Sequence, residues 1–171
     1  MAFTLVLGGA RSGKSRYAQT QAEAAAARGG GALLLIATGQ ALDEEMRARI
    51  IAHRRARGDA WRTLEAPLDL PATIMGLHKR DVVVVDCLTL WLSNLLLAEM
   101  DVAEQCCALL AALRPLPNPI WLVTNEVGLG IVPENALARR FRDAAGHLHQ
   151  ELAAMAAQVV LVVAGLPLTL K

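Results

Sequence analysis

The chain has 171 residues, a length that suits one domain with a substantial apolar core. Apolar residues make up 54% of it and charged residues 19%, and its formal net charge at pH 7 is +1. A charge so close to zero gives no general attraction to nucleic acid or to an anionic membrane surface. The sequence shows neither a secretory signal nor an apolar run of membrane-spanning length, so we expect a cytoplasmic protein.

Apolar strands and helices alternate along the chain. Continuous apolar strands, typical of a parallel sheet covered on both faces, are predicted at 3–7, 32–37, 82–86, 120–124 and 159–164. A short strand is expected at 61–65, and residues 166–170 could pair at the edge of the sheet. Helices are expected at 14–28, 43–57, 72–77, 88–100, 103–113 and 134–156. The alternation predicts an α/β fold with a mostly parallel central sheet, in a single domain spanning 1–171.

The stretch 8–15 follows the first strand, has the sequence GGARSGKS and fits the P-loop pattern G-x-x-x-x-G-K-[ST]. Its glycines allow a tight turn with N–H groups close to a phosphate, and the following helix start adds unpaired N–H groups and partial positive charge. Lys14 is expected to reach the β- and γ-phosphates, and the Ser15 hydroxyl to bind Mg²⁺. A chance match in a chain rich in glycine and alanine is the alternative, but the flanking strand and helix favour a true P-loop.

Polar or glycine-rich residues follow four of the predicted strands, namely Gly8, Thr38, Asp86 and Asn125–Glu126. Ligands of open α/β sheets bind at the carboxyl ends of strands, so these four ends should form one rim that is the site. Asp86 follows a β-branched strand and is the candidate Walker-B carboxylate, which would hold the Mg²⁺ shell opposite Ser15. Alternatively, Asp86 caps the next helix. Glu126 either contributes to substrate or metal binding or has no role there.

His53 lies in the predicted helix 43–57, where it points within about 20° of the direction of Met46 and so faces the protein. A packed core histidine is one interpretation. The other is a nucleophile or general base beside phosphate, with neighbouring arginines as anion partners. Those arginines, which could instead form a solvated helix end, are Arg54, Arg55 and Arg57.

The remaining histidines, the cysteines and the arginines near residue 140 are not expected to take part in catalysis or metal binding. His147 and His149 are two residues apart on a predicted helix and point to different faces, so surface positions are expected for both. His78 adjoins Lys79 and Arg80 in a predicted turn and should be exposed. The cysteines lack metal-type spacing and are expected to be free thiols: Cys87, Cys106 and Cys107. The arginines expected on a solvated or intersubunit helix face are Arg139, Arg140 and Arg142.

Taken together, these motifs resemble those of the bifunctional adenosylcobinamide kinase/adenosylcobinamide-phosphate guanylyltransferase family of cobalamin synthesis. The resemblance covers nearly the whole chain. Beyond the P-loop it depends on segments 36–38, 43–53, 61–63, 86–94, 124–135 and 139–143. Segment 124–135, with the sequence TNEVGLGIVPEN, is highly specific in combination with the P-loop.

The resemblance implies a RecA-like P-loop fold, a homotrimer and two reactions. In the first, ATP or GTP phosphorylates the aminopropanol hydroxyl of adenosylcobinamide. In the second, GTP transfers GMP to that phosphate through a guanylylated histidine, with release of pyrophosphate. The family's histidine lies in the helix after the Ile-Ala-Thr strand, and some members carry two there. This chain has Ala52 and His53, so only His53 matches, and the resemblance favours the nucleophile over the core histidine.

The single P-loop predicts that one site serves both reactions. Guanine specificity is expected to depend on the segments around Thr38, Arg54 and Glu65. The catalytic residues are assigned as His53 and Lys14, and the Mg²⁺ ligands as Ser15 and Asp86. The residues assigned to nucleotide binding are Gly8, Gly9, Ala10, Arg11, Ser12, Gly13, Lys14, Ser15, Ala37, Thr38, Gly39, Arg54, Arg55, Ala56, Arg57, Glu65 and Asp86. Two rival classes are a regulatory or assembly ATPase and a monofunctional small-molecule kinase without histidine chemistry.

Overall fold

The computed structural model describes residues 3–41, 44, 47–48, 51–52 and 57–171. Its strands are β1 (Phe3–Gly8), β2 (Ala32–Ala37), β3 (Trp61–Glu65), β4 (Asp81–Asp86), β5 (Ile120–Asn125), β6 (Gln158–Val163) and β7 (Leu166–Thr169). Its longer helical elements are α1 (Lys14–Gly29), α2 (Leu70–Met75), α3 (Leu88–Leu97), α4 (Val102–Leu113) and α5 (Ala136–Met155). Residues 44, 47–48, 51–52 and 57 are also helical. The rest of the predicted helix 43–57, His53 included, lies outside the described residues.

The strands form one seven-stranded sheet in the order β3-β2-β4-β5-β1-β6-β7. Strands β1 to β6 pair in parallel, and β7 runs antiparallel to β6 at the edge. The prediction of an α/β fold with a mostly parallel sheet is therefore confirmed, as is the edge pairing predicted for 166–170. Strand β1 is buried along its whole length, in accord with its continuous apolar sequence.

Helices cover both faces of the sheet. One face packs Trp91, Leu109 and Leu148 from three helices against the strands, and the other packs Ala18 and Ala22 of α1. Because the faces are covered, the carboxyl-end rim is left for a ligand. Among the residues that the structure describes, no helix combines the length and the apolar character that a membrane span requires. All three cysteines are free thiols, as predicted, with Cys87 and Cys106 buried.

Three predicted helix boundaries are wrong, each for a local reason. Helix α2 begins at Leu70 rather than at residue 72, because Pro71 suits the first helical turn instead of breaking it. Helix α3 ends at Leu97 rather than at residue 100, and Glu99 turns the chain with a positive φ of 55°. Helix α5 begins after Asn135, whose side chain accepts a hydrogen bond from the Ala138 N–H at 3.1 Å.

Candidate active site

The glycines of the P-loop meet two steric requirements. Gly13 has a φ of 95°, in the left-handed region where a side chain is strained, and α1 begins at the next residue. Gly8 is closely surrounded, since an added Cβ would lie 2.4 Å from the Ser12 Oγ and 2.6 Å from the Val162 carbonyl oxygen. The chain thus turns from β1 into α1 in the way that brings backbone N–H groups to a phosphate.

Contacts on both sides hold the loop in place. The Gly165 N–H, in the turn between β6 and β7, donates to the Ser12 carbonyl at 2.8 Å. The Lys14 side chain is buried, with 8% exposed, and its Nζ donates to the Gly9 carbonyl at 3.0 Å. Within the described part of the chain, the Ser12 hydroxyl is a buried polar group without a hydrogen-bond partner. An unsatisfied hydroxyl in a glycine-lined cradle fits a bound polar ligand such as a phosphate.

The four predicted strand ends meet on one rim, as expected. Ala37 is in register with Asp86, and Gly8 is in register with Asn125. Backbone hydrogen bonds continue past the strands, because the Glu126 N–H donates to the Gly8 carbonyl at 3.1 Å and the Thr38 N–H to the Asp86 carbonyl at 3.3 Å. The rim therefore carries, in order, Thr38, Asp86, Asn125–Glu126 and the P-loop.

Asp86 lies half-buried at the end of β4. The N-cap position of α3 is occupied by Cys87, whose side chain makes no capping hydrogen bond, so Asp86 is not the N-cap residue of this helix. The pKa of the Cys87 thiol is raised, chiefly by burial and then by the negative charge of Asp86, while the charge of Lys14 lowers it to a smaller extent. The pKa of Cys87 thus responds to the charges of both Asp86 and Lys14.

A buried polar network lies behind the rim, and sequence reasoning missed most of it. The Thr38 hydroxyl bonds the backbone of Cys87, and the Asn94 side chain bonds the Thr38 carbonyl. Asn125 donates from Nδ2 to the Thr89 Oγ1 at 2.9 Å, which lies 3.1 Å from the Cys87 Sγ. The signal that could have found it is Asn94, a buried amide in the apolar helix sequence LTLWLSNLLL.

The surface position predicted for His149 is wrong. His149 is buried, and its Nε2 lies within hydrogen-bonding distance of the Thr124 Oγ1 at 2.8 Å. Burial lowers the pKa of His149, and the negative charge of Glu126 opposes that shift. The buried residues of α5 are Ala145, Leu148, His149 and Leu152, a helical i, i+3, i+4, i+7 stripe that the sequence already contains. His147 and His78 are exposed, as predicted.

The other predicted site residues are dispersed around the rim. Arg11 is exposed, as is Glu65, which ends β3 in register with Ala37. Glu126 is half-buried and accepts a hydrogen bond from the Gly128 N–H at 2.6 Å. Gly39 and Arg57 are half-buried. The residues assigned to nucleotide binding or catalysis that lie outside the described part of the chain are His53, Arg54, Arg55 and Ala56.

The arginines of α5 serve local structure. Arg139 donates from Nη1 to the carbonyls of Pro133 and Glu134, and so supports the loop before the helix. Arg142 pairs with Asp143 at 3.0 Å, and Arg140 is exposed. These contacts agree with a solvated face, while the predicted intersubunit role stays a prediction.

The family model and the three curated relatives that match this chain all indicate the same family. The model of the cobinamide kinase / cobinamide phosphate guanyltransferase family matches residues 4–170. The bifunctional adenosylcobalamin biosynthesis protein CobP of Pseudomonas aeruginosa is 51% identical, with 98% of this chain and 96% of that protein covered. The proteins named CobU are 42% identical in Escherichia coli and 43% in Salmonella typhimurium, with 98% of both chains covered in each case.

A solved ATPase domain aligns with a TM-score of 0.54 at 12% identity, over 94% of this chain and 68% of that one. At so low an identity, this similarity shows a shared RecA-like fold alone.

Proposed function

The chain belongs to the cobinamide kinase / cobinamide phosphate guanyltransferase family and is a bifunctional enzyme of cobalamin biosynthesis, and from this premise we propose its reactions and the residues that carry them. It phosphorylates the aminopropanol hydroxyl of adenosylcobinamide with ATP or GTP. It then transfers GMP from GTP to the new phosphate and releases pyrophosphate. The observation that carries the proposal is the rim at the carboxyl ends of the parallel strands, which holds both the P-loop after β1 and Asp86 at the end of β4.

For the kinase step, the P-loop N–H groups and Lys14 bind the β- and γ-phosphates and stabilise the charge of the transferring phosphoryl group. Ser15 and Asp86 are the residues that would hold Mg²⁺, which neutralises phosphate charge when bound. That donor set fits Mg²⁺, which is usually held by one or two protein oxygens together with substrate phosphates and water.

For the guanylyl step, neutral His53 attacks the α-phosphorus of GTP. A P–N bond forms, the bond to the bridging oxygen breaks, and pyrophosphate leaves. An oxygen of adenosylcobinamide phosphate then attacks the same phosphorus and displaces His53. Arg54, Arg55 and Arg57 bind the phosphates beside the attacking ring. This role of His53 is supported by the resemblance of segment 43–53 to the family.

One P-loop supports a single site for both steps, with the triphosphate or the His53 segment repositioned between them. We also propose that the enzyme is cytoplasmic and a homotrimer. Family membership excludes the two rival hypotheses, a monofunctional kinase and a regulatory ATPase, since neither has both the kinase and the guanylyltransferase activity.

The test is incubation with GTP labelled at the α-phosphate. A phosphoramidate on His53 should leave labelled protein that is stable to alkali and labile to acid. His53→Ala should abolish the adduct and GMP transfer and keep hydroxyl phosphorylation. The matched control is His147→Ala, an exposed histidine on α5. An undiminished adduct in His53→Ala would place the nucleophile elsewhere, and loss of both activities with an intact fold would indicate a shared binding role.

A further inference from the structure

Thr38 directly follows β2 and is fully buried, at 0% exposure. Its hydroxyl donates to the Cys87 carbonyl at 2.7 Å and accepts from the Cys87 N–H at 2.9 Å. Its own N–H donates to the Asp86 carbonyl at 3.3 Å, and its carbonyl accepts from the Asn94 Nδ2 at 2.7 Å. Every polar atom of Thr38 therefore already has a partner within the protein, which does not suit a residue whose side chain reads a nucleotide.

These contacts act on the backbone around Asp86. Strand β4 ends at Asp86, so the sheet ladder no longer determines the direction of the chain at Cys87. Thr38 replaces the ladder there, because it holds three successive backbone groups: the Asp86 carbonyl and the N–H and carbonyl of Cys87. The direction of the Asp86 side chain follows from the backbone that Thr38 fixes.

Asn94 extends the same set of contacts. It is buried on α3, with 8% exposed, between the fully buried Leu92 and Leu95. Its amide group donates both to the Thr38 carbonyl and to the Pro67 carbonyl, the latter at 3.0 Å. Asn94 thus ties the ends of β2 and β3 to the helix that follows Asp86. A buried amide is costly unless it is hydrogen-bonded, and this one uses both of its N–H groups.

From this geometry we infer that Thr38 and Asn94 are positioning residues for Asp86, which hold its carboxylate at the rim beside the P-loop and do not themselves contact the nucleotide. The inference rests on the proposed role of Asp86 in Mg²⁺ binding. It reassigns Thr38 from nucleotide contact to support of the carboxylate. It also adds Asn94, which the sequence did not single out.

The experiment measures the affinity for the α,β-methylene analogue of GTP, which cannot give up GMP, with Mg²⁺ and with EDTA. Thr38→Val keeps the shape and removes the hydroxyl. We expect its affinity in EDTA to stay within about twofold of the wild-type value, because the P-loop is unchanged. The gain in affinity on adding Mg²⁺ should fall by about tenfold. Thr38→Ser should restore that gain. The matched control is Thr73→Val, since the Thr73 hydroxyl donates to the Asp69 carbonyl, at 2.9 Å, on the distant helix α2.

Asp86→Asn separates this inference from the proposal on which it rests. If Asp86→Asn loses the Mg²⁺ gain and Thr38→Val keeps it, the positioning inference is wrong and the role of Asp86 stands. If Asp86→Asn keeps the gain, the proposed role of Asp86 fails. Equal losses of affinity in EDTA and in Mg²⁺ for Thr38→Val would make Thr38 a nucleotide contact and overturn the inference. Should Thr38→Val not fold, Asn94→Ser removes both amide bonds and is read in the same way.

Discussion

At the scale of single residues, the site buries a charged side chain. Lys14 carries its charge at a buried position, where an ammonium is costly unless anions or carbonyls surround it. The Gly9 carbonyl gives it one partner, at 3.0 Å. A triphosphate bound in the proposed way would add negative charge at that point, in accord with the proposed role of Lys14 in phosphate binding.

Lys14→Ala is expected to lower kcat/KM of both phosphorylation and GMP transfer by about 10²- to 10³-fold, because both reactions handle a triphosphate in the same loop. Steady-state assays of the two half-reactions measure this. Lys79→Ala, in an exposed turn, is the control. Near-normal turnover of either reaction in Lys14→Ala would contradict the assignment.

His149 predicts a pH dependence of stability. Its folded pKa lies below the ordinary value of 6.5, so below that pH the unfolded state binds a proton that the folded state does not. The free energy of unfolding should therefore fall as the pH decreases from about 7 towards the folded pKa, by up to about 1.4 kcal/mol per pH unit. His149→Gln should lose less stability over that interval in urea denaturation. Curves that run parallel to wild type would refute this, and His147→Gln on the exposed face is the control.

At the scale of elements, the P-loop is supported by the β6–β7 turn as well as by its own strand and helix. A Cβ on Gly13 would lie 3.2 Å from the Gly165 Cα, and the Gly165 N–H holds the Ser12 carbonyl. The P-loop motif covers residues 8–15 only, whereas the fold adds a contact from Gly165, more than a hundred residues along the chain. The loop's shape therefore depends on the pairing of β6 with β1.

Gly8→Ala should distort this arrangement, because its Cβ would clash with the Val162 carbonyl and the Ser12 side chain. We expect a loss of about 1–3 kcal/mol in the free energy of unfolding and a reduced affinity for GTP. Gly146→Ala inside α5 is the matched control, since its added Cβ would meet no other described residue within 4 Å beyond the backbone of its own helix. That change should stabilise the protein by about 0.5–1 kcal/mol and leave GTP affinity unchanged. Equal effects of the two substitutions in calorimetry and nucleotide titration would argue against a steric constraint at Gly8.

At the scale of the whole molecule, apolar side chains are exposed on the edge strand and on the loop after β5. Leu166 and Leu168 are exposed on β7, Leu170 is exposed just after it, and Ile131 is 97% exposed. Contiguous exposed apolar surface often marks a contact between proteins. Contacts between subunits in the proposed homotrimer would bury such side chains.

Sedimentation velocity should therefore give a mass of about three chains, as the family resemblance implies. Leu168→Asp, which places a charge on the exposed edge, should shift the distribution towards smaller species while circular dichroism stays unchanged. Met75→Asp introduces the same charge at an exposed position on α2, in the crossover between β3 and β4, and should have no such effect. A monomer in the wild-type protein at all concentrations would rule out the trimer.

The sequence by itself determined the types of element and the P-loop, because both depend on local spacing, and the resemblance of its motifs identified the family. Continuous apolar runs identify buried parallel strands, and the spacing of Gly8, Gly13 and Lys14 identifies the phosphate loop. It also placed the four strand ends on one rim, since parallel strands share their carboxyl edge. The roles assigned to His53 and its neighbouring arginines remain predictions.

Only the tertiary structure decided the order of the strands, the burial of His149 and the partners of Thr38. Each depends on contacts between residues distant along the chain, such as the bond from Asn94 to the Thr38 carbonyl. A pattern of residue types shows which face of a helix is apolar, but it does not show what lies opposite that face. Whether a polar side chain meets a ligand or another strand is therefore decided by packing, and here packing placed Thr38 behind Asp86.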